Sequence, residues 1–223
     1  MTKLRIAIDG PAGAGKSSVS KLLAERLNLS YIDTGALYRC VAFEMIMNDI
    51  GLDDEPGIRR ILADLKITFK MENGRNLVFL GGRDVTAQIR TEQVGMLAST
   101  ASALPFVREA LFAMQRRYAE KGAVVMEGRD IGTVIMPEAQ IKIFLTAKPE
   151  SRADRRMLDI KTAGGQKDYN ELLDEIRRRD DQDTQREACP LRPAEDAILL
   201  DNSQMDLEQT AAFIVDIAKK KGY

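Results

Sequence analysis

The stretch Gly10-Pro11-Ala12-Gly13-Ala14-Gly15-Lys16-Ser17 has the residue types and spacing to hold a chain of phosphates. It satisfies G-x-x-x-x-G-K-[ST] at every position. Its three glycines permit positive-φ turns and bring backbone N–H groups close to phosphate oxygens. Lys16 is a compact positive charge that can reach β- and γ-phosphates, and the Ser17 hydroxyl can ligate Mg²⁺.

Such a loop works only between a strand and a helix. Leu4-Arg5-Ile6-Ala7-Ile8 before it is an apolar run of strand length. Residues 18–27 after it read as a helix, with Val19, Leu22, Leu23 and Leu27 near one stripe. The helix N-terminus then points at the bound anion. The bland alternative is a Gly/Pro-rich turn that merely joins two elements.

Downstream, Leu29 to Ile32 predicts a second strand and residues 36–47 a helix, closed by Gly51. Asp53-Asp54-Glu55-Pro56 starts another helix. Residues 66–70 then alternate with period two, Asn73-Gly74 signals a turn, and 77–80 return as a second strand. This hairpin insert, about residues 64–90, is either a small mobile subdomain or an edge addition to the main sheet. Helices are predicted over 91–103 and 105–119, strands over 123–126 and 141–145, and arginine-rich helices over 149–161 and 168–181. A last strand at 197–200 precedes a helix that opens with a capping box of Asp206 and Gln209. Five strands alternating with helices predict an α/β fold, a doubly wound five-stranded parallel sheet in one domain spanning residues 1–223.

Composition narrows the function. At 223 residues with net charge −1 the chain offers no global field for a nucleic acid polymer or a membrane surface. No apolar run is long enough to span a bilayer, and the N-terminus has no signal-type apolar region. Cys40 and Cys189 lack metal or disulfide spacing, which fits a reducing cytoplasm. There is no histidine, so imidazole is excluded as base or metal ligand. Chemistry must rest on Lys, Arg, carboxylates, hydroxyls and a bound cation.

Arginines fill that role: Arg39, Arg108, Arg129, Arg152, Arg155, Arg156, Arg179 and Arg186 lie near predicted strand ends and loops. Many guanidinium forks beside a donor phosphate suggest a second phosphate as acceptor. An anionic acceptor needs no general base, leaving positioning and charge stabilisation. For Arg177-Arg178-Arg179-Asp180-Asp181 the competing reading is a solvated helix face with i,i+4 pairs.

Several segments together resemble one family. They are residues 10–18, Asp33-Thr34-Gly35-Ala36-Leu37-Tyr38-Arg39, Ile89-Arg90-Thr91, Val107-Arg108-Glu109-Ala110-Leu111, Glu127-Gly128-Arg129-Asp130-Ile131-Gly132-Thr133-Val134, Lys142 to Leu145, Arg155-Arg156 and Arg179-Asp180-Asp181-x-Asp183. In this order and over essentially the whole length, the chain resembles the bacterial cytidylate kinases, which are P-loop nucleoside monophosphate kinases. D-[ST]-G-x-x-Y-R and G-R-D-x-G-T are far more specific than the phosphate loop. Thr34 stands where serine is also common, and Glu127 where aspartate is also found.

The resemblance implies an NMP-binding insert, a short lid at about 151–167, and Mg-assisted transfer of the ATP γ-phosphate to CMP or dCMP by a cytoplasmic monomer. It assigns donor binding to Gly10, Pro11, Ala12, Gly13, Ala14, Gly15, Lys16, Ser17 and Ser18, with Arg152, Arg155 and Arg156 from the lid. Thr34, Arg39, Arg129 and Arg186 would hold the acceptor phosphate, Arg179 and Asp183 the sugar, and Ser99, Arg108 and Asp130 the base. Lys16, Arg129, Arg179 and Arg186 would act on the transferring group. The alternatives are a P-loop kinase for thymidylate, shikimate or pantoate-like acceptors, where Asp33 could serve as base, and a nucleotide-dependent switch module.

Overall fold

A computed structural model describes residues 3–72, 75–162 and 164–223. The chain divides into two compact units, residues 1–30 with 122–223 and residues 31–121.

The first unit is built on β1 (Arg5–Asp9), β6 (Val124–Gly128), β7 (Ile141–Thr146) and β8 (Ile198–Asp201). With β2 (Ser30–Asp33), which begins on the last residue of this unit's first segment, they form a five-stranded parallel sheet of order β2-β6-β1-β7-β8. Ile6 pairs with Val125 on one side and Ile141 on the other, and Ile6, Ala7 and Ile8 are fully buried. The near-continuous apolar runs predicted as strands suit a parallel sheet covered on both faces. Helices α1 (Lys16–Arg26) and α8 (Leu207–Lys220) pack together, burying Val19, Leu23, Ala211, Ile214 and Ala218. The predicted capping box is present: Gln209 N donates to Asp206 Oδ1 at 2.7 Å and Asp206 N to Gln209 Oε1 at 3.0 Å.

Helices α6 (Pro149–Thr162) and α7 (Tyr169–Gln185) enclose a small core of Ala153, Leu172, Leu173 and Ile176. Most of the span expected as a lid is therefore helix, followed by Gly164 at φ 78°. Between β6 and β7 the chain makes one wide helical turn of π type, Ile131–Ile135, which no periodicity announces.

The second unit holds α2 (Thr34–Met47), α3 (Glu55–Asp64), α4 (Glu92–Ala101) and α5 (Pro105–Glu120). Helix α2 starts two residues before the predicted position because the Asp33 side chain accepts from Ala36 N at 3.2 Å. It ends at Met47, ahead of Gly51. The insert is a separate antiparallel sheet of β3 (Ile67–Glu72), β4 (Arg75–Leu80) and the short β5 (Arg83–Asp84), so it is not an edge of the main sheet. The Asn73-Gly74 turn lies outside the described residues. Ile67, Val78 and Leu80 join Leu37, Val41, Met45, Ile58 and Leu111 in one core, because alternation turns one hairpin face toward the helices. Tyr118 ties α5 to β3 by donating to Ile67 O at 2.7 Å. No helix among the described residues is long and apolar enough to cross a membrane.

Candidate functional site

The phosphate loop leaves β1 through Gly10, whose φ is 147°. A Cβ there would lie 1.9 Å from the carbonyl oxygen of Leu145 in β7, so only glycine fits. Gly15, at φ 87°, is the N-cap of α1, and no side chain caps this helix. Its first-turn amides are thus left to an anion.

Lys16 is 6% exposed and its Nζ donates to Pro11 O at 2.8 Å, folding the side chain over the loop. Burial lowers its pKa from 10.5 to about 7, and the charge of Arg129 pushes the same way, against Glu127 and Asp183. Removing an ammonium from water disfavours its charged form, and a neighbouring guanidinium adds repulsion. Bound phosphates would reverse that balance.

Around Lys16 the first unit gathers Glu127, Arg129, Arg179 and Asp183, all of which act on its charge. Arg129 Nε donates to Asp183 Oδ2 at 2.6 Å, and Arg186 Nη1 stands 4.0 Å from Asp183 Oδ1. Burial alone would raise the Asp183 pKa, but Arg129, Arg179 and Arg186 outweigh it and hold the carboxyl below its usual range. Arg186 is oriented by a 2.6 Å bond from Nε to Cys189 O. Helical periodicity sorts the arginine run of α7. Arg177 faces solvent and pairs with Glu150 at 3.0 Å, and Arg178 is exposed too. Arg179 lies on the same face as Asp183, half-buried.

The three arginines expected in the lid differ. Arg152, 2% exposed, donates to Ala12 O and Ala147 O, both at 3.0 Å, and makes a two-pronged bond to Asp180 at 2.9 and 2.5 Å. Arg155 reaches Asn202 and Arg156 is exposed.

Two residues absent from the expected set also shape this region. Asp9 ends β1, 4% exposed, and accepts from Ile131 N and Gly132 N, both at 2.7 Å. It thereby fixes the turn that follows Arg129 and Asp130. Desolvation raises its pKa to about 6, the two amide bonds opposing the rise. A carboxylate closing an otherwise apolar strand run was the available signal. The second is Asn202, for which the sequence carries no signal.

In the second unit, Thr34 is 4% exposed at the first position of α2. Arg39 donates to Ile89 O at 3.0 Å, and a Cβ on Gly95 of α4 would lie 3.1 Å from its Nη1. Arg108 of α5 donates to Ser102 O at 3.3 Å and lies 5.8 Å from the centre of the Tyr38 ring. Ser99 is half-buried on α4. Asp33 has Arg90 3.6 Å from Oδ2 besides its cap bond, so its carboxylate is engaged twice. A cleft in this unit, lined by Glu44, Asp54, Arg60, Asp64 and Lys66 among others, contains none of the expected site residues.

The donor set suits Mg²⁺. Ser17 offers a hydroxyl oxygen on the first turn of α1, and no group of three or more acidic, Cys or His side chains that could cage an ion occurs among the described residues. Phosphate oxygens and water would complete the shell, the usual arrangement for this ion.

Comparison with known proteins bears on the fold and the family. The fold resembles a solved shikimate kinase from Bacteroides thetaiotaomicron, with TM-score 0.51 and 15% identity, covering 97% of this chain and 98% of that one. Curated cytidylate kinases are much nearer in sequence. That of Caldicellulosiruptor bescii is 49% identical over 220 residues, 99% of this chain and 97% of the relative. That of Pseudomonas aeruginosa is 46% identical over 98% of this chain and 96% of the relative. The family model described as cytidylate kinase matches residues 6–220, and the chain belongs to the cytidylate kinase family.

Proposed function

We propose that this chain transfers the γ-phosphate of ATP to CMP or dCMP, giving ADP and CDP or dCDP. The observation that carries the reading is the gathering of Lys16, Arg129, Arg179 and Arg186 around one carboxylate, Asp183, in the unit that holds the phosphate loop. The guanidiniums of Arg129, Arg179 and Arg186 lie outside the phosphate loop and add forks that can grip a phosphate, which favours an anionic acceptor beside the donor.

In the mechanism, residues 10–18 bind the donor phosphates through backbone amides, and Lys16 recovers its full charge against the γ-phosphate. Ser17 would hold Mg²⁺, which would supply charge neutralisation to the donor phosphates. Arg129 and Arg186 take the acceptor phosphate together with Thr34 and Arg39. Arg179 and Asp183 orient the sugar, and Ser99, Arg108 and Asp130 read the base. The acceptor oxygen is already ionised, so no residue has to remove a proton, in keeping with a chain without histidine. Arginines stabilise the charge that spreads over the transferring group. Residues 151–167 act as a lid that excludes water, and the enzyme works as a cytoplasmic monomer.

The deciding experiment measures ADP formation from ATP with CMP, dCMP, UMP, TMP, shikimate and no acceptor. Turnover with CMP and dCMP well above the others supports the reading. A preference for shikimate or TMP would replace the acceptor assignment, and acceptor-independent hydrolysis alone would favour a switch.

A further inference from the structure

Asn202 lies one residue beyond β8, is 4% exposed, and joins two parts of the donor site. Its Nδ2 donates to Ala14 O at 3.0 Å, inside the phosphate loop. Its Oδ1 accepts from Arg155 Nη1 at 3.1 Å, and its backbone carbonyl accepts from Arg155 Nη2 at 2.7 Å. Its own N–H donates to Thr146 O at 2.9 Å, anchoring it to the end of β7. Only one orientation of the amide satisfies both partners, because a guanidinium can only donate and a carbonyl can only accept.

Together these contacts set the geometry above the loop. A Cβ added to Gly15 would lie 3.6 Å from Asn202 Nδ2 and 3.9 Å from Arg155 Nη1, so amide and guanidinium stand directly over the last loop glycine. Across a planar trans peptide, holding the Ala14 carbonyl toward Asn202 turns the Gly15 N–H the opposite way. The acceptor is also neutral. Arg152 has its charge offset by Asp180, whereas the hydrogen-bond partners of Arg155 are a neutral amide and a carbonyl, and the Asp201 carboxylate acts on it only as a charge in the surroundings.

We infer that Asn202 is a positioning residue for the donor nucleotide, holding Arg155 over the phosphate loop and setting the Ala14–Gly15 peptide. The inference rests on the reading of Arg155 as a ligand of the donor phosphates.

Binding of a non-hydrolysable ATP analogue with Mg²⁺, measured by calorimetry on the full chain without acceptor, tests it independently of the acceptor's identity. N202A should weaken binding about three- to tenfold, the net effect of one ordinary hydrogen bond, since Asn202 does not itself touch the nucleotide. R155A should weaken it at least as much, and the double variant should weaken it by clearly less than the product of the two single effects, since Asn202 acts in part through that side chain and in part through the Ala14 carbonyl. N202D should bind more weakly than N202A, because a carboxylate would neutralise Arg155 and oppose the Ala14 carbonyl. CMP binding should be unchanged in N202A. Wild-type analogue affinity in N202A, or effects of N202A and R155A that multiply, would overturn the inference. Wild-type affinity in R155A would remove the reading beneath it. Should N202A fail to fold, N202S, too short to span both partners, takes its place with the same outcomes.

Discussion

Arg129 Nε and Asp183 Oδ2 are 2.6 Å apart, joining the end of β6 to a helix 54 residues later in the chain. The carboxylate also faces Arg179 and Arg186, so one acidic group keeps several cations near Lys16 without mutual expulsion. D183N should cost about 3 kcal/mol of folding stability, as expected when one partner of a largely buried pair is removed. It should lower kcat/KM for CMP by roughly tenfold or more, the size of one lost charge-assisted contact. Because the folded carboxyl titrates below its ordinary range, this pair's stability is fully present above the unfolded carboxylate value and is lost progressively as pH falls from there through the lower folded value. Urea denaturation of wild type and D183N between pH 3 and pH 8 checks both points. A difference that is constant from pH 8 to about pH 5 and shrinks toward pH 3 agrees with a lowered folded carboxyl, and no difference at pH 7 would remove the pair from the stability account.

Lys16 should couple ATP binding to proton uptake. Its pKa is lowered to about 7 without ligand, and phosphates must raise it again. Near and above pH 7 the free protein therefore carries a partly neutral Lys16 that gains a proton on binding, and affinity falls as pH rises from 7 to 9. Calorimetry of ATP binding at pH 8 in buffers of different ionisation enthalpy reads the proton directly. The variant K16M should fold, lose this uptake, and lose most phosphoryl transfer.

Asp9 runs the other way. Its pKa is raised from 3.8 to about 6, so its buried charge costs stability at pH 7, at most about 3 kcal/mol for that gap. The contribution improves as pH falls toward 4 and is lost again as pH rises through 6. D9N cannot titrate, so the stability of wild type relative to D9N should grow between pH 7 and pH 5. The variant keeps only one acceptor for Ile131 N and Gly132 N, and its KM for CMP should rise through a looser Arg129–Asp130 segment. Denaturant midpoints across that range, with KM at pH 7, supply the check.

Asp130 is the proposed cytosine reader. Cytosine presents an N4 amino donor where uracil presents an O4 acceptor, so a carboxylate favours the first and is left opposed to the second. D130A should lower kcat/KM for CMP much more than for UMP, by about 1–3 kcal/mol of discrimination, or roughly ten- to a hundredfold. An unchanged CMP/UMP ratio would assign Asp130 to orienting its neighbours instead.

What the chain determines by itself is whatever is contiguous. The phosphate loop is readable because Gly10, Gly13, Gly15 and Lys16 act through local backbone geometry, and the structure gives all three glycines positive φ. The alternation of apolar strands and amphipathic helices is equally local, so the five-stranded sheet and the capping box at Asp206 follow from spacing alone. Only tertiary structure decides which arginine serves which purpose. Arg152, Arg155 and Arg156 are nearly identical in sequence context. Yet one is buried against Asp180, one stands over Gly15 and one faces solvent, because a helical turn directs them differently relative to the loop. The partners of Asp9 and Asn202 are hidden for the same reason, although Asp9 shows as the carboxylate that closes an apolar strand. Their partners, Gly132 and Ala14, lie 123 and 188 residues away, and only the parallel pairing of β6, β1, β7 and β8 brings those strand ends together.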